Sequence, residues 1–166
     1  MKKSLMLAAL IAGLLVVAYT QELALAQTPT LPNSAQQPMA TKLILHGDIA
    51  WYIGRGQPNN CILKSRFKRG EGVGFRMVAI DPTTGKYSET AELVVHITYG
   101  GKTVDIPMRY RGPDYPQPNL HTLKWTVPND APLGVVRYTV TGKDKEGRTG
   151  EFKPFSVEES QLQIVD

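Results

Sequence analysis

The segment CILKSRFKRGEG, residues 61–72, places the chain's single cysteine close to a cluster of cationic side chains. The cations are Lys64, Arg66, Lys68 and Arg69. A thiol becomes reactive when nearby positive charge lowers its pKa and when solvent or a substrate can reach it. Cations also occur on exposed strands, where they discourage aggregation between sheet edges. The segment is therefore compatible with a reactive thiol, a nucleic-acid patch or a structural strand.

The alternation of side chains in this segment favours the structural strand. Cys61, Leu63 and Phe67 lie at odd positions and share one face, whereas the cation nearest in sequence, Lys64, lies on the other face. We therefore expect Cys61 to point inward with Leu63 and Phe67 and to be unreactive, as buried free cysteines are. An intermolecular disulfide or another covalent attachment, and a catalytic thiol, are the alternatives.

The three histidines do not form a metal-site pattern with this cysteine. A blue-copper site needs two His, a Cys and a weak axial Met, and in cupredoxins the Cys, one His and the Met share one late loop. His46, His96 and His121 fall in different predicted elements, and Cys61 is 35 positions from His96. The sequence therefore predicts no metal and no other cofactor.

Motifs of common enzyme classes are also missing from the sequence. It contains no Gly-x-Ser-x-Gly elbow, phosphate loop, HExxH or CxxC. The protein is therefore predicted not to be an enzyme, and no catalytic residue is assigned. An enzyme that uses a less recognisable chemistry is the alternative.

The N-terminus has the three-part organisation of a secretory signal peptide. Lys2 and Lys3 precede an apolar run at 5–18, and Ala24 and Ala26 supply small residues at the −3 and −1 positions of a cleavage site. We expect a signal peptide over residues 1–26 and a periplasmic or secreted protein. An uncleaved membrane anchor that carries the same exported domain is the alternative.

Residues 27–41, QTPTLPNSAQQPMAT, are rich in Pro, Gln, Thr and Ser and predict a flexible leader. The folded domain is then 42–166. Without Lys2, Lys3 and Glu22 the mature chain has 17 cationic and 14 acidic residues, a net charge of +3. This charge is small for a nucleic-acid-binding protein. Neither nucleic-acid binding nor membrane insertion after signal cleavage is predicted.

Short runs of alternating or β-branched residues, separated by Gly, Pro, Asn and Asp, predict an all-β domain. The predicted strands are 43–53, 61–67, 73–80, 91–99, 102–110, 120–127, 135–142 and 149–157, with a further short strand at 161–165. Seven or eight such strands indicate an immunoglobulin-like antiparallel β-sandwich.

The hairpin AELVVHITYGGKTVDIPMRYRG has the most strongly specified register. Gly100-Gly101 suits a two-residue type I′ turn, in which both residues take positive φ. A turn at this point pairs residues whose numbers sum to 201, so that apolar pairs such as Ile97 with Val104 share one face and His96 with Asp105 the other. Pro107 predicts that the second strand lies at a sheet edge.

The segment LKWTVPNDAPLGVVRYTVTGKDKEGRTGEF resembles the second half of bacterial Ig-like, fibronectin-like or macroglobulin-like modules. The matching positions are Asp130, Pro132, Gly134, Tyr138, Asp144 and Gly147. RGEGVGFRMVAIDPTTGK, residues 69–86, resembles an early strand of such modules and the turn after it. The resemblance implies a sandwich fold and a binding, spacer or adaptor role. The Cys…Trp…Cys pattern of antibody domains is absent from the sequence.

Alternate connections of a sandwich emerge at opposite ends, so the longer loops are predicted to gather at one end. These loops are 54–60, 81–90, 111–119 and 143–147. Within 111–119, three prolines limit the ordering cost of binding, while Arg111, Asp114 and Tyr115 offer charge and an aromatic anchor. The simpler interpretation is that all four loops are surface connections that tolerate sequence changes and have no binding role.

The predicted function is that of an exported, non-catalytic Ig-like binding or adaptor subunit with a protein partner. The predicted contact residues are Arg55, Asn59, Arg111, Asp114 and Tyr115. The alternative is a periplasmic small-ligand or metal-binding protein that serves a redox system.

Overall fold

A computed structural model describes residues 42–166 of the chain. Both the predicted signal peptide, 1–26, and the predicted leader, 27–41, lie outside the described residues. The described residues form ten strands and one 3₁₀ turn at Glu158–Ser160. The strands are β1 (Ile44–Trp51), β2 (Arg66–Lys68), β3 (Gly72–Ile80), β4 (Glu92–Tyr99), β5 (Lys102–Pro107), β6 (Arg109–Tyr110), β7 (His121–Thr126), β8 (Gly134–Lys143), β9 (Thr149–Phe152) and β10 (Leu162–Val165).

The strands form two sheets, and the all-β prediction is confirmed. Sheet I has the order β1-β3-β7-β6, and sheet II has the order β2-β10-β8-β4-β5, with β9 also paired to β8. All pairings between these strands are antiparallel except that of β10 with β2, which is parallel. Apolar side chains from both sheets share one core, which is consistent with a β-sandwich.

The predicted hairpin register is confirmed over β4 and β5. Ile97 pairs with Val104 and His96 with Asp105, and both turn glycines take positive φ, 53° at Gly100 and 75° at Gly101. β5 is an edge strand, as Pro107 predicted. The predicted strand 102–110 is divided after Pro107, because the chain then crosses from sheet II to β6 of sheet I.

A second hairpin is formed by β8 and β9, which correspond to the predicted strands 135–142 and 149–157. β8 and β9 pair antiparallel across a turn in which Gly147 has φ 81°. Val136, Tyr138 and Val140 alternate along β8 and are buried. β9 ends at Phe152, earlier than the predicted 157, and Pro154, which lies two residues beyond, has no N–H to continue the ladder.

The strand register also shows which loops share an end of the molecule. In sheet I, Trp51 faces Val73 at one end and Ile44 faces Ile80 at the other. The connections 81–90, 111–119 and 143–147 emerge at the Ile80 end, as predicted. The connection 54–60 follows Trp51 and therefore starts from the opposite end, so its predicted place beside the other three loops is wrong.

The physical reason for this error is that residues 61–63 do not begin an independent strand. They turn back along β1, where the Cys61 N–H donates to the Trp51 carbonyl at 2.7 Å and the Trp51 N–H to the Ile62 carbonyl at 2.8 Å. β2 starts only at Arg66. The connection 54–60 is thus a local turn at the end of β1, and it does not carry the chain to the other end.

Arg148 ties two of the grouped connections together. Its guanidinium lies 2.8 Å from Asp81 and 2.7 Å from the Asp144 carboxylate. Partial burial alone would raise the pKa of both carboxyl groups. Hydrogen bonds outweigh this effect: those from the Thr83 backbone and Arg148 lower the pKa of Asp81 to about 2, and those from Arg148 lower the pKa of Asp144.

Protonation of these carboxylates is expected to destabilise the fold. A carboxyl group whose pKa is lowered by folding stabilises the protein above its unfolded pKa of about 3.9, and the contribution disappears as the pH falls through the folded value. We expect the free energy of unfolding to drop between about pH 4 and pH 2, and Arg148→Met to weaken that drop. Urea unfolding of both proteins at a series of pH values measures this. Lys145→Met, in the same turn, is the control. Equal acid dependence in Arg148→Met and the unchanged protein would contradict the assignment.

Candidate functional site

The structure places Cys61 on the surface, so the prediction of a buried thiol is wrong. Phe67 is fully buried as expected, but Leu63 is 65 % exposed. Cys61 has φ 64°, a left-handed conformation that interrupts the strand period on which the prediction depended. The orientation of Phe67 is determined separately, because Phe67 lies in β2, which pairs with β10 in sheet II, whereas residues 61–63 pair with β1 of sheet I.

The cations beside Cys61 are largely occupied by structural contacts. Lys64 Nζ lies 2.6 and 2.8 Å from the Glu71 carboxylate oxygens and 4.6 Å from the centre of the Trp51 ring. Arg66 pairs with Glu158, and Arg69 donates to the Ala131 carbonyl. The cluster therefore fixes β2 and its neighbouring turns.

The outer face of sheet I has a recess caused by a missing side chain. Gly74 of the central strand lies between Ala50 of β1 and Lys124 of β7 in the register. These three residues point away from the core, because their neighbours in sequence point into it. The side chain of Tyr52, beyond the end of β1, approaches within 3.5 Å of the position that a Gly74 Cβ would take. A bare glycine at the centre thus forms the floor between taller side chains.

The loop 111–119 closes one side of this recess. The Arg111 Nε donates to Thr122 Oγ1 at 2.6 Å, and the Arg111 guanidinium lies 5.6 Å from the centre of the Tyr115 ring. The Tyr110 hydroxyl donates to Asn119 Oδ1 at 2.6 Å. These contacts, with three prolines in the loop, hold Arg111 and Tyr115 in place against the sheet.

The recess has a volume of about 320 Å³. The residues that line it are Ala50, Tyr52, Cys61, Gly74, Phe75, Arg76, Arg111, Tyr115, Pro116, Gln117, Leu120, Thr122, Leu123 and Lys124. The volume is at the lower end of the range for small-molecule pockets, about 300–1,000 Å³. It therefore suits a ligand, or a part of a partner, of about the size of one or two amino-acid residues.

Within the described part of the chain, the residues that line the recess carry positive charge and include no Asp or Glu. Arg76 is paired with Asp48 through two hydrogen bonds of 2.6 and 2.7 Å. Within residues 42–166, neither Arg111 nor Lys124 has a carboxylate oxygen within 4.0 Å. Lys124 Nζ lies instead 5.2 Å from the centre of the Tyr52 ring. Each of the two cations is thus held against a tyrosine ring.

The predicted contact residues do not form one group in the structure. Arg111 and Tyr115 line the recess together, and Asp114 is exposed on the same loop. Arg55 and Asn59 belong to the connection 54–60, which starts from the opposite end of sheet I, and neither lines the recess. The premise that placed Arg55 and Asn59 beside loop 111–119 is therefore wrong.

The residues that create the recess are not among those predicted from the sequence. Gly72 and Gly74 alternate on the outward face of a central strand, in the segment GVGFR. Glycine in a strand interior weakens the strand and often marks a close approach by a ligand or by another chain segment. That signal was available, but Tyr52 and Lys124 could be assigned to the recess only from the sheet order.

The histidines are separated in the structure as the sequence indicated. His96 contacts Asp105 at 2.7 Å and Thr141 at 2.8 Å, and His121 is buried with its Nε2 2.9 Å from the Ala91 carbonyl oxygen. Burial lowers the pKa of His121. Among residues 42–166, no group of three His, Cys, Asp or Glu side chains is arranged to hold a metal ion.

A second groove lies between β1 of sheet I and β9 of sheet II. Its volume is about 650 Å³, and its lining includes Leu63, Tyr138, Phe152 and Phe155. Phe155 is 79 % exposed. This groove is an alternative contact surface, and Phe155 provides a way to test it.

Comparison of the chain with protein-family models finds no match, and comparison with curated proteins finds none either. In the described part of the chain, no helix has the length and apolar character needed to cross a membrane. What the protein binds must therefore be inferred from the residues of the recess and of loop 111–119.

Proposed function

We propose that this chain is an exported, non-catalytic binding protein with an immunoglobulin-like β-sandwich fold. Its protein partner contacts loop 111–119 and the recess beside that loop. The observation that supports the proposal best is the arrangement of Arg111 and Tyr115, stacked on each other at the mouth of a preformed recess. The signal-peptide pattern of residues 1–26 supports export, and two sheets with one shared core support the Ig-like fold.

The side chains at this surface are of the types that dominate protein interfaces. Tyrosine and arginine are enriched among residues whose loss costs the most binding energy. Loop 111–119 is tied at both ends by hydrogen bonds from the Arg111 N–H to the Leu120 carbonyl and from the Asn119 N–H to the Gly112 carbonyl, at 2.9 and 3.0 Å. A loop that is already ordered loses little conformational entropy on binding. Asp114, exposed beside Tyr115, would pair with a cation of the partner.

The second candidate function is the binding of a small ligand, and the size of the recess favours it. A volume of about 320 Å³ accommodates a small molecule as well as one side chain of a partner. On this alternative the protein is a small-ligand carrier of the exported compartment. No residues in the described range suggest a metal as that ligand.

The test of the proposed function is affinity capture from the exported fraction of the native host. We expect the double variant Arg111→Ala/Tyr115→Ala to capture its partner at least tenfold more weakly, a loss of about 1.4 kcal/mol. The melting temperature is expected to change little, because neither side chain belongs to the buried core. Binding of the captured partner is measured by calorimetry or surface plasmon resonance.

The matched control is Arg137→Ala/Tyr87→Ala, which removes the same types of side chain from exposed positions outside the recess. It is expected to bind like the unchanged protein. A further variant, Phe155→Ser, removes the exposed ring of the β1–β9 groove. Capture that survives the Arg111/Tyr115 double change but is lost in Phe155→Ser would place the partner in that groove and contradict the proposal. Capture that is abolished by changes at Lys68 and Arg69, at the other end of the sandwich, would also contradict the proposal.

A further inference from the structure

The charge of the recess indicates the chemistry of its occupant. Its lining contains Arg76, Arg111 and Lys124 but no Asp or Glu. Among the described residues, Arg76 has a carboxylate partner, Asp48, whereas Arg111 and Lys124 have none. Unpaired like charges placed close together repel one another, so the arrangement is stabilised when an anion enters. The occupant is therefore expected to carry negative charge.

The hydrogen bonds of Arg111 leave part of its guanidinium available to such an anion. Its Nε donates to Thr122, which fixes the plane of the group. In residues 42–166, its two terminal nitrogens have no salt-bridge partner. An arginine edge with two N–H donors matches the two oxygens of a carboxylate, while a lysine acts as a second point charge. Lys124 supplies that charge.

The rest of the lining is suited to an apolar group. Ala50, Gly74, Pro116 and Leu120 present carbon atoms, and the rings of Tyr52 and Tyr115 form two walls. Ligand pockets commonly combine such walls with a few polar groups that fix orientation. The volume limits the apolar part to about one side chain.

We propose that the recess binds a carboxylate joined through a short link to an apolar group. This inference rests on the proposed function, because it identifies the part of the partner that enters the recess. A peptide offers this chemistry in two places, at its C-terminal residue and at an acidic side chain. In both cases the carboxylate contacts Arg111 and Lys124, and the adjoining carbons lie over Gly74.

Cys61 provides a direct measure of occupancy, because it is exposed and lines the recess. A neutral reagent, iodoacetamide, alkylates the chain's single thiol, and an occupant of the recess slows the reaction. The probes are N-acetylphenylalanine for a terminal carboxylate, N-acetylglutamic acid α-amide for a side-chain carboxylate, N-acetylphenylalanine amide as the neutral counterpart, and inorganic phosphate. Amide chemical shifts of Gly74 and Tyr115 provide an independent readout.

We expect at least one carboxylate probe to slow alkylation at millimolar concentration, while its neutral amide and phosphate do not. Arg111→Gln and Lys124→Gln should each raise the concentration required for protection at least fivefold. Arg137→Gln, which removes one positive charge from sheet II, should leave the concentration required for protection unchanged. Gly74→Val places a larger side chain at the floor of the recess without changing its charge, and it should abolish the protection of Cys61 by the carboxylate probes. Comparison of the two carboxylate probes shows which source of the carboxylate fits.

Equal protection by the amide, protection by phosphate alone, or undiminished protection in Arg111→Gln and Lys124→Gln would each overturn the carboxylate assignment. The outcome is separate from that of the capture experiment. Partner capture that depends on Arg111 and Tyr115, with no protection by any carboxylate probe, would refute this inference and leave the proposed function standing. Protection without any dependence of partner capture on these residues would refute the proposed function alone.

Discussion

Ile97→Asp is expected to unfold the protein under conditions in which the unchanged chain is stable. Ile97 is fully buried in β4 and faces Val104 on one side and Tyr138 on the other. An aspartate at this position would place a charge in the core without a partner, which costs about 4 kcal/mol or more. That loss is close to the total stability of many domains of this size. Urea unfolding followed by tryptophan fluorescence measures it.

The matched control is Thr98→Asp, one position further along the same strand. Thr98 is exposed and lies opposite Arg137 of β8, so an aspartate there has both water and an opposite charge. We expect a change of under about 1 kcal/mol, as for other cross-strand positions on the outer face of this sheet, including His96→Ala and Asp105→Ala. Val104→Asp should fall between the two limits, because Val104 is only partly buried on the edge strand. Equal losses at Ile97 and Thr98 would show that the assignment of the two faces is wrong.

This hairpin could be predicted from the sequence because two independent local signals agree. Gly100-Gly101 fixes the turn, and the alternation on both strands requires the same register. A shift by one residue would bring polar side chains such as His96 toward the core. Where a turn and a pattern specify the same pairing, single-sequence reasoning is sufficient.

The segment around Cys61 shows where this reasoning fails. The alternation from Cys61 to Phe67 predicts one strand, but Cys61 adopts φ 64° and residues 61–63 pair back onto β1. The residue types in this segment do not predict a positive φ at Cys61, because this conformation depends on the hydrogen bonds with Trp51. The misplacement of Arg55 and Asn59 follows directly from that error.

The candidate site could be predicted only in part, for a similar reason. The place of loop 111–119 among the longer connections and the composition of this loop predict Arg111 and Tyr115, and both features can be recognised from the order of residues along the chain. Tyr52 follows the last residue of β1, whereas Gly74 lies in β3 and Lys124 in β7, and the order β1-β3-β7 brings them together. Sheet order is determined by long-range packing, which composition and periodicity do not reveal.

A second large effect is expected from Gly47→Ala, although it adds only a methyl group. Gly47 lies opposite Met77 in the β1–β3 ladder, on the inward face of β1. A Cβ at this position would overlap the Arg76 carbonyl oxygen and the Met77 Sδ, and would lie 2.9 Å from the Met77 Cα. The carbonyl belongs to the ladder and cannot withdraw without separating the two strands. Overpacking of this kind costs about 1–3 kcal/mol, and we expect the upper end because backbone must move.

Gly74→Ala is the control for this prediction, since it makes the same substitution on the partner strand. Its Cβ would have the Ala50 carbonyl as nearest neighbour at 3.4 Å, an ordinary contact, and Gly74 does not have positive φ. Replacing glycine by alanine at a compatible position stabilises by about 0.4–1 kcal/mol, because the unfolded chain has fewer conformations. The two variants are therefore expected to shift the midpoint of urea unfolding in opposite directions. A stable Gly47→Ala protein would mean that β1 and β3 are further apart at Gly47 than this register places them.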